Sequence, residues 1–133
     1  MSELTISVAH NNARLAASIV YADTGTPNSR IRLYNAADVL LATVVLDKPC
    51  GSVVADKLVL VQEDPTADLV VTSGDAHHAE WLNGAGNLVA SGMVTFDGDT
   101  DPVTSLYPFK VAGSSSTTLY AGGLVVLGTT SLE

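Results

Sequence analysis

Aromatic residues are scarce in this chain: one Trp, four Tyr and two Phe make up 5% of 133 residues, while apolar residues make up 47%. The core must therefore be aliphatic. Basic residues are also few, with six Lys and Arg against fourteen Asp and Glu and a formal net charge of −8. So few cations cannot form a phosphate-tracking stripe, which argues against nucleic acid as a partner. The same deficit disfavours an anionic membrane surface. The single cysteine, Cys50, rules out an intrachain disulfide and fits folding in a reducing cytosol. It sits in Lys48-Pro49-Cys50-Gly51 with no base nearby in sequence, so an inert, at least half-buried thiol is expected. No apolar run approaches the ~20 residues of a spanning helix. The first residues carry no basic region before their apolar ones, so no secretion leader is expected. A Gly-x-Ser-x-Gly elbow and a phosphate loop are both missing, so neither an enzyme activity nor a cofactor is expected.

What remains is rich in Val, Thr and turn-forming residues, which favours short strands. The length suits one domain, taken as 1–131, with Leu132-Glu133 set aside as a vector-derived pair. Arg30–Val45 reads as a β-hairpin around the turn Asn35-Ala-Ala-Asp38, and the design returns at His78–Met93. An offset of 48 (83 − 35) pairs Asn35 with Asn83, Ala37 with Ala85, Leu40 with Leu88 and Ala42 with Ala90. The fold is expected to be built around these two arms.

Leu4–Val8 alternates apolar and polar residues and is expected to be a half-buried strand. Leu15, Ala16, Ile19 and Val20 share a helical face, so a helix is expected over 12–23, capped by Asn and stopped by Gly25 and Pro27. Val39–Leu46 is nearly all apolar, as in a strand covered on both faces, and residues 48–51 should break it. Short strands are expected at 52–55 and 58–61. Residues 69–72 should pair back on 58–61 as a second hairpin. Leu106–Val111, with Pro108, reads as an edge strand, and Thr118–Leu127 as the last strand. The expectation is an all-β fold, a β-sandwich or jelly roll of nine or ten short antiparallel strands with one N-terminal helix.

Three groups of residues are candidate sites. Asp97, Asp99 and Asp101 alternate as in a calcium loop, but Pro102 and Pro108 stand where that motif wants Gly and Glu, so only a weak cation site is expected. Asp75, His77, His78 and Glu80 form the densest polar cluster. On a strand the two histidines face opposite sides, and zinc would need a third ligand such as His10, so no metal is expected. A pH-responsive interface is the alternative use of these histidines. Trp81, Tyr34, Tyr107 and Tyr120 are candidate binding or interface residues, either as core and interface anchors or as a sugar-stacking platform.

Ile6–Asn12, Arg30–Tyr34, Trp81–Ala90 and Leu119–Leu127 resemble small structural proteins of tailed bacteriophages and prophages. The resemblance implies a non-enzymatic particle component, capsid-decorating, cementing or tail-associated. It would work as a homo-oligomer with other virion proteins, in the virion and, during assembly, in the host cytoplasm. No functional residue carries over. A carbohydrate-binding β-sandwich module for host attachment is the alternative.

Overall fold

The structure, a computed structural model, describes residues 5–132. In chain order its elements are helix α1 (Val8–Ala22) and strands β1 (Arg30–Tyr34), β2 (Leu40–Val54), β3 (Lys57–Gln62), β4 (Gly74–Asp75), β5 (His78–Leu82), β6 (Leu88–Phe96), β7 (Phe109–Val111), β8 (Thr118–Leu119) and β9 (Ser131–Leu132). A 3₁₀ turn at Thr104–Leu106 precedes β7. Seven strands form one sheet in the order β7-β6-β5-β1-β2-β3-β9, and β4 and β8 form a small ribbon.

The sheet curls until it nearly closes. Leu127 bridges Val111, Gly128 N–H donates to the Lys110 carbonyl at 2.7 Å, and Leu60 N–H donates to the Thr130 carbonyl at 3.1 Å. The chain end therefore joins β3 to β7. The fold is all-β, as the sequence leads one to expect, and the facing layers come from opposite walls of one curled sheet. One pairing departs from the antiparallel expectation: β6 and β7 run parallel.

The two arms form as expected, with the same local chemistry. Asn35 N–H donates to the Val39 carbonyl and Asn83 N–H to the Asn87 carbonyl. In return the side-chain oxygens of Asn35 and Asn83 accept from Val39 N–H and Asn87 N–H, each at 2.9 Å. The left-handed residue of each turn also falls at the 48-residue offset, with φ 63° at Asp38 and 88° at Gly86. Asp and Gly are both residues that tolerate this region. β1 and β5 then pair antiparallel, with Arg32 opposite Glu80. Since 80 − 32 is also 48, an approximate two-fold axis passes through that pair. The outer registers agree: Arg32 faces Thr43 and Glu80 faces Ser91, and both hairpins slip register at the equivalent place.

β2 runs further than expected. Residues 47–50 bulge opposite Val61 alone, with a cis Lys48–Pro49 peptide, and pairing with β3 resumes at Gly51. The expected break is thus a bulge inside one long strand. Val54 pairs with Lys57 across a two-residue turn, Ala55 at φ 50° and Asp56 at φ 66°. Those angles define a type I′ turn, for which Asn-Gly is the preferred pair. Replacing Ala55-Asp56 by Asn-Gly should stabilise the protein by about 1 kcal/mol and raise Tm by about 4 °C, read by thermal unfolding.

The helix starts earlier than expected. Ser7 is its N-cap, extended at φ −64° and ψ 155°, and its hydroxyl oxygen accepts from His10 N–H at 3.2 Å. Thr5–Ser7 are not strand and Val8 is helical, which corrects the strand expected there; Leu4 lies outside the described residues. Leu15 and Ala22 are buried and Ile19 is half-buried, at i, i+7 and i+4, so this face packs on β2 and β3.

Two more expectations fail. Residues 69–72 do not form a hairpin with β3. Instead Val70 bridges Ala42, and Leu69 bridges Leu124. Residues 118–127 make no continuous strand, but a two-residue strand and two isolated bridges. These segments lie over β2, where Val71 N–H donates to the Leu41 carbonyl at 2.8 Å and Leu41 is fully buried. Buried Asp68 ties them in, accepting from Val45 N–H at 3.1 Å and from Gln62 Nε2 at 2.8 Å. Leu132, set aside as vector-derived, pairs with Leu58.

Candidate functional site

The aromatic set is dispersed. Trp81 is 2% exposed and packs in the core, its Nε1–H donating to Ser29 Oγ at 2.7 Å. The Ser29 hydroxyl in turn donates to the Leu82 carbonyl at 2.7 Å. Burial removes Trp81 from any sugar-stacking surface and leaves it a core anchor. Tyr34 is half-buried on the outer sheet face, Tyr107 is half-buried before β7, and Tyr120 is exposed at a turn. No common platform joins them.

The acidic loop uses its own carboxylates. Asp99 accepts from the Thr104 and Thr95 hydroxyls at 2.6 and 2.5 Å and from Asp101 N–H at 2.9 Å. These bonds hold its carboxyl below the ordinary carboxylate range. Asp101 accepts from Val103 and Thr104 N–H, and Asp97 from Thr129 N–H. The three carboxylates shape and anchor the loop and are not gathered around a common point.

The histidines meet, against expectation. His77 lies just before β5, its N–H donating to the Tyr34 carbonyl and its carbonyl accepting from Val94 N–H, and its Nδ1 is 2.9 Å from His78 Nδ1. The ring centres are 5.2 Å apart and the rings nearly perpendicular. A ring nitrogen lies about 1.2 Å from its ring centre, so a head-on N–H···N bond of this length predicts a centre separation of about 5.2 Å. Two nitrogens on a tetrahedral zinc would lie about 3.3 Å apart, and two at right angles on a metal would bring the ring centres to about 4.5 Å. The two distances together fit an N–H···N hydrogen bond, in which one ring nitrogen donates and the other accepts. His78 Nε2 is 2.8 Å from Asp38 Oδ1, which sets the chain Asp38–His78–His77. Tyr34 stacks on His78 at 5.5 Å. Burial, then a hydrogen bond to Glu80, push the Tyr34 hydroxyl above its ordinary pKa. Asp75 is engaged elsewhere, accepting from the Thr118 hydroxyl at 2.6 Å. Among the described residues no group of three or more His, Cys, Asp or Glu is placed to hold a metal ion.

Cys50 is fully buried, and its backbone N–H donates to Asp23 Oδ1 at 3.1 Å. Burial, then the Asp23 charge, push its thiol up to about 12. A thiol pKa raised by folding contributes stability that is present below the unfolded value and lost as pH rises through the folded one. Stability should therefore fall between pH 9 and 12, and fall less in Cys50→Ala, as measured by urea unfolding at each pH. Iodoacetamide should label the native thiol far more slowly than the unfolded one.

Two surface features escaped the sequence. Along the ladder joining 68–71 to 122–125, Val70 and Val125 point inward while Leu69, Val71 and Leu124 are 53%, 65% and 49% exposed. Tyr120, 71% exposed, stands at the adjoining turn. The second feature is a groove of about 620 Å³ beside the start of β7, lined among others by Ala90, Tyr107, Lys110 and Leu132. Neither has a local motif, because each is assembled from segments distant in the chain. The chain matches no family model, no curated protein and no solved structure.

Proposed function

We propose that this chain is a non-enzymatic structural protein of a virus particle of the tailed-phage type, working by protein–protein contact as a capsid-decorating or cementing subunit. The observation that carries this reading is the outward apolar face of Leu69, Val71 and Leu124, extended by Tyr120. Contiguous exposed apolar surface of this kind marks a docking face more often than a lone exposed leucine does. Its charge setting adds support. From Pro102 to Leu132 the sequence has no Asp or Glu, in a chain of net charge −8. Tyr120 and Leu124 belong to that acid-free stretch, so they offer a neighbouring subunit an uncharged patch on an otherwise acidic molecule. The partner expected is the apolar surface of a shell subunit.

Co-sedimentation with phage heads tests this. The wild-type chain should pellet with particles, and the pair Leu69→Lys and Leu124→Lys should weaken binding at least about tenfold while leaving the fold intact, since both side chains are exposed. Equal binding by wild type and variant would remove this face from the account. A wild-type chain that never pellets with particles would remove the function.

A further inference from the structure

The nearly closed sheet is not sealed along its whole height. β7 ladders only with Val94–Phe96 of β6, so among the described residues Leu88–Met93 have β5 on one side and no strand on the other. β9 likewise has β3 on one side only. Pro108, which lacks an N–H, and the 3₁₀ turn at Thr104–Leu106 prevent β7 from extending backward to fill the gap. The groove beside Ala90, Leu106, Tyr107, Pro108, Lys110 and Leu132 occupies this seam.

We propose that the seam accepts a strand, and that its occupant is the alternating segment ending at Ser7 of a second copy of this chain. This rests on the reading of the chain as a self-associating structural protein. Leu4-Thr-Ile-Ser-Val8 has the period of a half-buried strand, yet Thr5–Ser7 are not strand, and Ile6 and Val8 are 37% and 59% exposed. Among the described residues, strand-patterned Thr5–Ser7 are thus left without a sheet, and the seam is a sheet edge left without a strand. Ser7 is already extended and Val8 begins α1, so the segment can pair up to the helix without unwinding it. Charge favours the match: Lys110 is among the groove-lining residues, none of which is acidic, and the segment follows Glu3. Thr5, Ile6 and Ser7 of the same copy sit instead with His10 and Arg14, which leaves the seam to a neighbour. Main-chain pairing supplies affinity and the Leu4/Ile6 face supplies selectivity, as in β-strand addition generally.

The test measures the mass of the full chain by sedimentation equilibrium over a range of concentrations, for wild type, Ile6→Asp and Thr5→Pro. A cysteine pair gives a second readout. In a Cys50→Ala background, chains carrying Ile6→Cys are mixed with chains carrying Ala90→Cys and oxidised. Expected are an oligomeric wild type, association weakened at least about tenfold in both variants, and a disulfide joining the two cysteine chains. An oligomeric wild type with unaffected variants and no cross-link overturns strand donation and leaves self-association standing. A wild type that stays a single chain at every concentration overturns both. If either variant fails to fold, the cross-link decides.

Discussion

Trp81→Ala should cost about 4 kcal/mol of stability, the largest loss expected from any single side chain in this protein. Trp81 is the largest of the fully buried side chains, and the core around it is aliphatic, with few bulky neighbours able to close a cavity. Its removal also leaves the Ser29 hydroxyl without its donor, in a site where Ser29 is fully buried. An unmatched buried polar group adds to the cavity cost. Trp81→Phe separates the two effects, since it keeps most of the volume and loses the N–H; a loss of about 1–2 kcal/mol is expected. Urea unfolding followed by circular dichroism reads both variants. A loss below about 1 kcal/mol for Trp81→Ala would show that the core does not depend on this residue.

Gly84→Ala comes second, with an expected loss of about 3 kcal/mol. A methyl group at Gly84 would lie 2.1 Å from the Pro27 carbonyl oxygen and 2.7 Å from that of Thr24. Those neighbours are backbone, in the turn that links α1 to β1, and cannot swing aside as a side chain would. The contact clamps the 24–27 turn onto the β5–β6 hairpin end, where Lys48 Nζ also donates to the Gly25 carbonyl at 2.8 Å. Gly86→Ala makes the contrast: φ is 88° there but the nearest atom to an added methyl is 3.8 Å away, so only backbone strain of about 1 kcal/mol is expected. If the two variants unfold at the same urea concentration, close packing at Gly84 is not what that glycine provides.

The parts of this fold that sequence makes legible are those fixed by neighbours in the chain. Asn35 and Asn83 fold their own turns back with hydrogen bonds four residues on, so the 48-residue offset between them appears in the sequence and reappears as an approximate two-fold axis. The all-β class follows from short aliphatic segments with turn residues between them. Partners far away in the chain were not legible. Residues 69–72 look like the return of a hairpin, yet their bonds go to Leu41 and Gly123. Leu4–Val8 has a strand period too short to outweigh a Ser cap and an Ala-rich run behind it. Trp81 could be assigned to core or surface only once Ser29 was seen to take its N–H. The carboxylates at 97, 99 and 101 carry a cation spacing, but three threonine residues and the loop's own amides take them up.

At the candidate site the balance is different. The apolar face was invisible because Leu69 and Leu124 are 55 residues apart (124 − 69) and meet through one bridge. The histidine pair was visible as composition, but the contact between its rings was not, because strand alternation alone sets neighbouring side chains on opposite faces.

On the function proposed above, this molecule is a unit of assembly, joined to its own kind along the open seam and to a shell by its apolar face. The mass of the purified wild-type chain in solution, followed from low to high concentration by sedimentation equilibrium, tests it most directly. A mass settling at a fixed small multiple of the 13.7 kDa chain is expected. A mass that stays at that of one chain throughout would contradict it.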